Sequence, residues 1–99
     1  MRILLTNDDG IDSPGLHALE AAFGARESAE VWTVAPDRER SGQSHAITIM
    51  EPVRTRRLGD RRFSASGTPA DCVVVGAASL MPEPPDVVVS GINRGPNLG

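Results

Sequence analysis

Lysine is missing from this chain: all ten of its basic residues are arginine. Genomic base composition is the simplest account of that choice, although a guanidinium also suits bidentate contact with phosphate. Cysteine is almost as scarce. Cys72 stands alone, so no disulfide can form within the chain, and a reducing, cytoplasmic setting is the expectation, with Cys72 assigned to core packing. No apolar run approaches membrane-spanning length, and the stretch after Met1-Arg2 turns polar too soon for a signal-peptide core. There is no excess of positive charge either. A net charge of -3 argues against a nucleic-acid polymer or a membrane surface as partner. Repeats and low-complexity segments are absent as well. What remains is an ordinary globular composition, 39% apolar and 23% charged over 99 residues, enough for one domain spanning 1–99 with a modest core.

The chain is organised around its first stretch, Ile3-Leu4-Leu5-Thr6-Asn7-Asp8-Asp9-Gly10. A short apolar run bounded by a turn signal reads as a buried strand, and this one delivers Asp8 and Asp9 to its carboxyl end. In open α/β sheets ligands bind beyond the carboxyl ends of the strands, which makes the pair a candidate metal or acid/base site. Taken alone, Asp-Asp-Gly reads first as a plain turn, because these residues favour one for backbone reasons.

Downstream, Ser13-Pro14 supplies a cap and a first-turn proline, and Leu16, Leu19 and Phe23 recur at helical spacing, predicting a helix from about Pro14 to Ala25. His17 falls off the apolar stripe and receives no role. Glu30 to Ala35 is β-branched and aromatic and stops at Pro36, completing a strand–helix–strand unit with parallel strands. The polar loop 36–42 then lies beside the acid pair. Between Ser44 and Ser66 short strands are predicted at 46–49, 53–58 and 61–65, the last two joined by a type II′ turn at Gly59-Asp60. The arginines at 54, 56, 57, 61 and 62 are assigned to a solvated strand face, and His45 is too isolated to argue from. Thr68-Pro69-Ala70-Asp71 is a helix-start signature, read as capping rather than as a phosphate seat, for a helix running to about Leu80. After a proline-rich connector, Val87-Val88-Val89 predicts another buried parallel strand, followed by a loop holding Asn93 and Asn97.

The predicted fold is therefore α/β: a Rossmann-like, mainly parallel sheet flanked by helices, with a small antiparallel hairpin. Its strand ends gather Asp8, Asp9, Ser41, Asn93 and Asn97. These are hard oxygen donors without a histidine–cysteine cluster, a set that selects Mg²⁺, Mn²⁺ or Ca²⁺ over zinc or copper. Adjacent strand residues point to opposite faces, so Asp8 and Asp9 share a metal only if the backbone turns there, which Gly10 permits. Such an ion would polarise a phosphoryl group and make bound water more acidic, the chemistry of phosphate ester hydrolysis.

Asn7-Asp8-Asp9-Gly10, then 35–42, then Gly67 to Val73, then Ser90 to Asn97 together resemble, in order and spacing, the successive signatures of the SurE survival-protein family. That resemblance implies a divalent-metal-dependent phosphatase acting on nucleoside 5′- and 3′-monophosphates, with some members also acting on polyphosphate. By matching positions it implies one Mg²⁺ or Mn²⁺ held by Asp8, Asp9, the Ser41 hydroxyl and the Asn93 amide oxygen, with Asp8 and Asp9 as catalytic residues and Asn97 beside the phosphate. It also implies a homo-oligomer, dimer or tetramer, for the full-length protein.

Members of the family are longer, and a parallel strand that ends in a glycine-rich loop leaves a sheet face uncovered. The expectation is thus the N-terminal part of an incomplete domain, poorly folded or inactive when isolated. Two other classes stay open: a catalytically silent metal- or nucleotide-binding module, and a receiver-like signalling domain. The second lacks its lysine and the acid expected after its third parallel strand.

Overall fold

Strand β1 (Arg2–Thr6) sends alternate residues to opposite faces of the sheet, as the pleat requires. In the computed structural model, which describes residues 1–38 and 53–92, Leu4 joins Trp32, Val34, Ala65, Cys72 and Met81 in one buried cluster. Its neighbours Ile3 and Leu5 join Ile11, Leu16 and Ala35 in the other. The fold is a two-faced sheet with a core on each side. Complete burial of Leu4, Leu5, Leu16 and Val34 contributes about 1.5–3 kcal/mol per side chain.

Helix α1 (Pro14–Gly24) covers the Ile3/Leu5 face, with Leu16 fully buried and Leu19 and Phe23 packed behind it. It starts where the sequence predicts: Ser13 caps it, its Oγ accepting from the Leu16 N–H at 3.3 Å, and Pro14 opens the first turn. β2 (Glu30–Pro36) follows, parallel to β1. On the opposite face lies α2 (Pro69–Val75), whose capping box is complete: Thr68 Oγ1 accepts from Asp71 N at 3.2 Å, and Asp71 Oδ2 from Thr68 N at 3.0 Å. Thr68 and Asp71 thus cap the helix, as the sequence predicts. The predicted run to Leu80 continues as a π-helical turn, Gly76–Leu80, closed by Met81 N to Gly76 O at 2.9 Å. The helix lies close on the sheet there, for a Cβ on Gly76 would come within 3.1 Å of Val34 and 3.3 Å of Leu4.

The hairpin consists of β3 (Thr55–Gly59) and β4 (Arg62–Ala65). It extends the main sheet, because β4 pairs in parallel with β2. The turn sits one residue later than predicted, at Asp60-Arg61, with an irregularity between Arg57 and Gly59. Among the described residues only Gly10 and Gly91 have positive φ, so Gly59 does not make the expected type II′ turn. The strand predicted at 46–49, and His45, lie outside the described residues.

β5 (Val87–Ser90) pairs in parallel with the other side of β1, giving the order β3-β4-β2-β1-β5. The sheet is thus mainly parallel and flanked by helices, with one antiparallel edge. β5 departs from the prediction in its burial. It forms the edge of the described sheet, where Val87 and Val88 are 41% and 43% exposed and only Val89 packs into the α1-side core. Apolar composition marked the strand; its position in the sheet set its exposure.

Candidate active site at the carboxyl ends of the central strands

β1 lies between β2 on one side and β5 on the other, so the chain leaves β1 in one direction and later returns to its opposite flank. Such a reversal of strand order opens a crevice at the carboxyl ends of the flanking strands, where open α/β sheets place their ligands. The strand ends are tied together. Thr6 is registered with Ser90, Gly91 N donates to Thr6 O at 2.9 Å, and Ile11 N donates to Pro36 O at 2.8 Å. Asp8 and Asp9, both half-buried, emerge at this edge two and three residues past the end of β1.

The backbone turn that the acid pair requires is present. β1 ends at Thr6, and Gly10 has φ 109°, a conformation that side-chain-bearing residues rarely adopt. Asn7 organises the turn from inside. It is fully buried; its Oδ1 accepts from Gly10 N at 3.1 Å, while its Nδ2 donates to Gly10 O at 2.9 Å and to Ser13 Oγ at 2.7 Å. One side chain therefore satisfies both backbone groups of Gly10 and couples them to the cap of α1. In the sequence Asn7 reads only as a turn former. Its burial was not legible, although an asparagine that bonds backbone a few residues ahead is a known turn device.

The segment after β5 reaches the same edge. A Cβ on Gly15, in the first turn of α1, would fall on the carbonyl oxygen of Ile92, so helix and loop meet backbone to backbone. Asn93 follows directly in sequence. Asn93, Asn97 and Ser41 themselves lie outside the described residues. Among the described residues no group of three or more histidine, cysteine, aspartate or glutamate side chains forms a metal cluster, so the described share of the donor set is the Asp8–Asp9 pair.

Two assignments change in the structure. Arg62 leaves the solvated face: its Nε donates to Glu20 Oε2 at 2.9 Å, and its Nη2 donates to Ile11 O at 2.8 Å and meets His17 Nε2 at 2.9 Å. His17, exposed on α1 as predicted, thereby gains a partner. No periodicity in the sequence announces that contact, which spans 45 residues. At the opposite, amino-terminal edge, the Trp32 indole donates to Glu30 at 2.7 Å and, aided by Arg2, holds its carboxyl below the usual range. Glu30 is remote from the acid pair.

The family model described as Survival protein SurE matches residues 3–99. The chain belongs to the SurE family. A SurE relative from Rhodospirillum rubrum, named 5'-nucleotidase SurE, is 58% identical over 98 residues, covering 99% of this chain and 37% of the relative. Another, 5'-nucleotidase SurE 1 from Burkholderia lata, is 54% identical over 99 residues, covering 99% of this chain and 38% of the relative. The chain thus spans well under half the length of these relatives. The crystal structure of the SurE protein from Aquifex aeolicus superposes with a TM-score of 0.89 at 46% identity, covering all of this chain and 40% of that one. The expected SurE resemblance, and a fold that makes up part of the SurE domain, are both borne out. No helix among the described residues is long and apolar enough to cross a membrane.

Proposed function

We propose that the whole protein is a divalent-metal-dependent phosphatase that converts nucleoside 5′-monophosphates to nucleoside and phosphate. The observation that carries this reading is the position of Asp8 and Asp9 at the strand-order reversal, in a chain whose relatives are named 5'-nucleotidase. Activity on 3′-monophosphates and short polyphosphates, and assembly as a dimer or tetramer, belong to the same proposal.

The residues present fit a hard cation. Two half-buried carboxylates stand at the edge, and Thr6, two positions before Asp8, has a buried Oγ1 with no hydrogen-bond partner among the described residues. An uncompensated oxygen of this kind favours an incoming cation or donor. Asp8, Asp9, the Ser41 hydroxyl and the Asn93 amide oxygen would hold one Mg²⁺ or Mn²⁺, and Asn97 would donate to a phosphate oxygen. When bound, the ion supplies positive charge that polarises the phosphoryl group and makes water a better nucleophile. In the hydrolysis the water oxygen bonds to phosphorus, the ester P–O bond breaks, and the nucleoside leaves with a proton. The chain's part is orientation. Asn7 and the Ser13 cap hold the loop that carries both carboxylates, so their approach to the cation needs little rearrangement.

Phosphate release from AMP by the whole protein tests the reading. Turnover with Mn²⁺ or Mg²⁺ that EDTA abolishes is the expected result. Metal binding without turnover on any nucleoside monophosphate would leave a binding module in its place.

A further inference from the structure

We infer that Arg62 is a positioning residue for the acid pair, acting through the carbonyl of Ile11. The inference rests on the reading that Asp8 and Asp9 hold a divalent cation. Ile11 lies two residues after Asp9 and is 4% exposed, so its peptide groups need partners inside the protein. Both come from other elements. Its N–H is bonded by Pro36 O at the end of β2, at 2.8 Å, and its C=O by Arg62 Nη2 at the start of β4, also at 2.8 Å. Gly10, the flexible joint between Ile11 and the acids, is pinned through both its N–H and its C=O by Asn7. A displacement of Ile11 is therefore passed on to Asp9 instead of being absorbed.

Arg62 is itself held in place. Its ion pair with Glu20 is mostly shielded, with side-chain exposures of 29% and 22%, and its Nη2 also meets His17 Nε2 at 2.9 Å. A guanidinium has donors only, so His17 Nε2 stands as the acceptor in that contact. One planar group thus joins the hairpin to α1 and to the acid loop through three acceptors. A lysine, with a single nitrogen on a flexible stem, does not reproduce that fork. Without Arg62 the Ile11 carbonyl must shift to find another donor, and the carboxylates move with it.

Mn²⁺ binding to the whole protein, followed by calorimetry and by the Mn²⁺ electron paramagnetic resonance spectrum, tests this. Wild-type protein should bind Mn²⁺ and Asp8→Asn should lose that binding; if wild-type protein does not bind, the site reading falls and the role of Arg62 with it. Arg62→Met should bind about tenfold more weakly, with an altered spectrum, as loss of a group supporting metal ligands usually does. Glu20→Gln removes the charge of the pair but keeps an amide oxygen to accept from Arg62 Nε and leaves the Ile11 contact intact, so it should lower Tm with Mn²⁺ affinity unchanged. Arg62→Lys covers the case in which Arg62→Met does not fold, and it too should bind more weakly. Wild-type affinity and spectrum in either arginine variant that folds overturns the inference. So does a loss of affinity that follows Tm equally in the Arg62 and Glu20 variants.

Discussion

Gly15 and Ile92 meet so closely that no side chain fits between them: a Cβ on Gly15 would land on the Ile92 carbonyl oxygen. Replacing glycine by alanine inside a helix ordinarily gains about 1 kcal/mol. Here the added methyl must displace the backbone of the segment leading into Asn93, an overpacking cost of about 1–3 kcal/mol. Gly15→Ala should therefore lower Tm and weaken Mn²⁺ affinity together. A rise in Tm would mean that the two backbones are not in contact.

Asp8→Asn and Asp9→Asn remove a charge and a strong oxygen donor at nearly constant shape. Either should reduce metal-dependent phosphate release to the level seen with EDTA while the circular dichroism spectrum stays that of the parent. Wild-type turnover in either variant would remove that residue from the mechanism. Asn93→Ala should weaken Mn²⁺ binding in calorimetry, and unchanged affinity would end its assignment as a ligand.

Asn7→Ala strips the partner from the buried Gly10 N–H and one of the two donors from the Gly10 C=O, which keeps Ser13 N at 3.1 Å. Each buried group left unsatisfied costs about 1–3 kcal/mol. A clear fall in Tm is expected, accompanied by weaker Mn²⁺ binding because the turn carrying the acids loses its internal brace. Parent-like Tm would show that water or a neighbour replaces the amide.

Thr68→Ala separates capping from phosphate binding. The hydroxyl is engaged by Asp71 N, so its loss should cost about 0.5–2 kcal/mol and lower Tm. Turnover and KM for AMP should remain those of the parent. A raised KM with unchanged Tm would assign the hydroxyl to the substrate instead.

The helix starts and the turn that carries the acid pair were legible because their signals are local. Ser13-Pro14 and Thr68-Pro69-Ala70-Asp71 specify helix starts through bonds spanning three residues, and both starts are where the sequence places them. Gly10 was identified by what its missing Cβ permits. Arg62 was misassigned because its partners, Ile11, His17 and Glu20, lie more than 40 residues away in sequence, and a run of arginines on a short strand looks the same whether solvated or engaged. The Gly59-Asp60 turn was misplaced by one residue, since the hairpin's register depends on an irregularity between Arg57 and Gly59 that composition does not encode.

By itself the sequence determined the described strand and helix segments, the helix caps, and the arrival of Asp8 and Asp9 at the end of an apolar strand. Periodicity, capping and the glycine turn are governed by sterics and hydrogen bonds within a few residues. Only the tertiary structure decided that β1 stands between β2 and β5, that Asn7 is buried beneath the acid loop, that Arg62 reaches Ile11, and that Val87 and Val88 face outward on an edge. Those outcomes depend on which distant apolar faces pack together, and strand order follows from that competition over the whole chain.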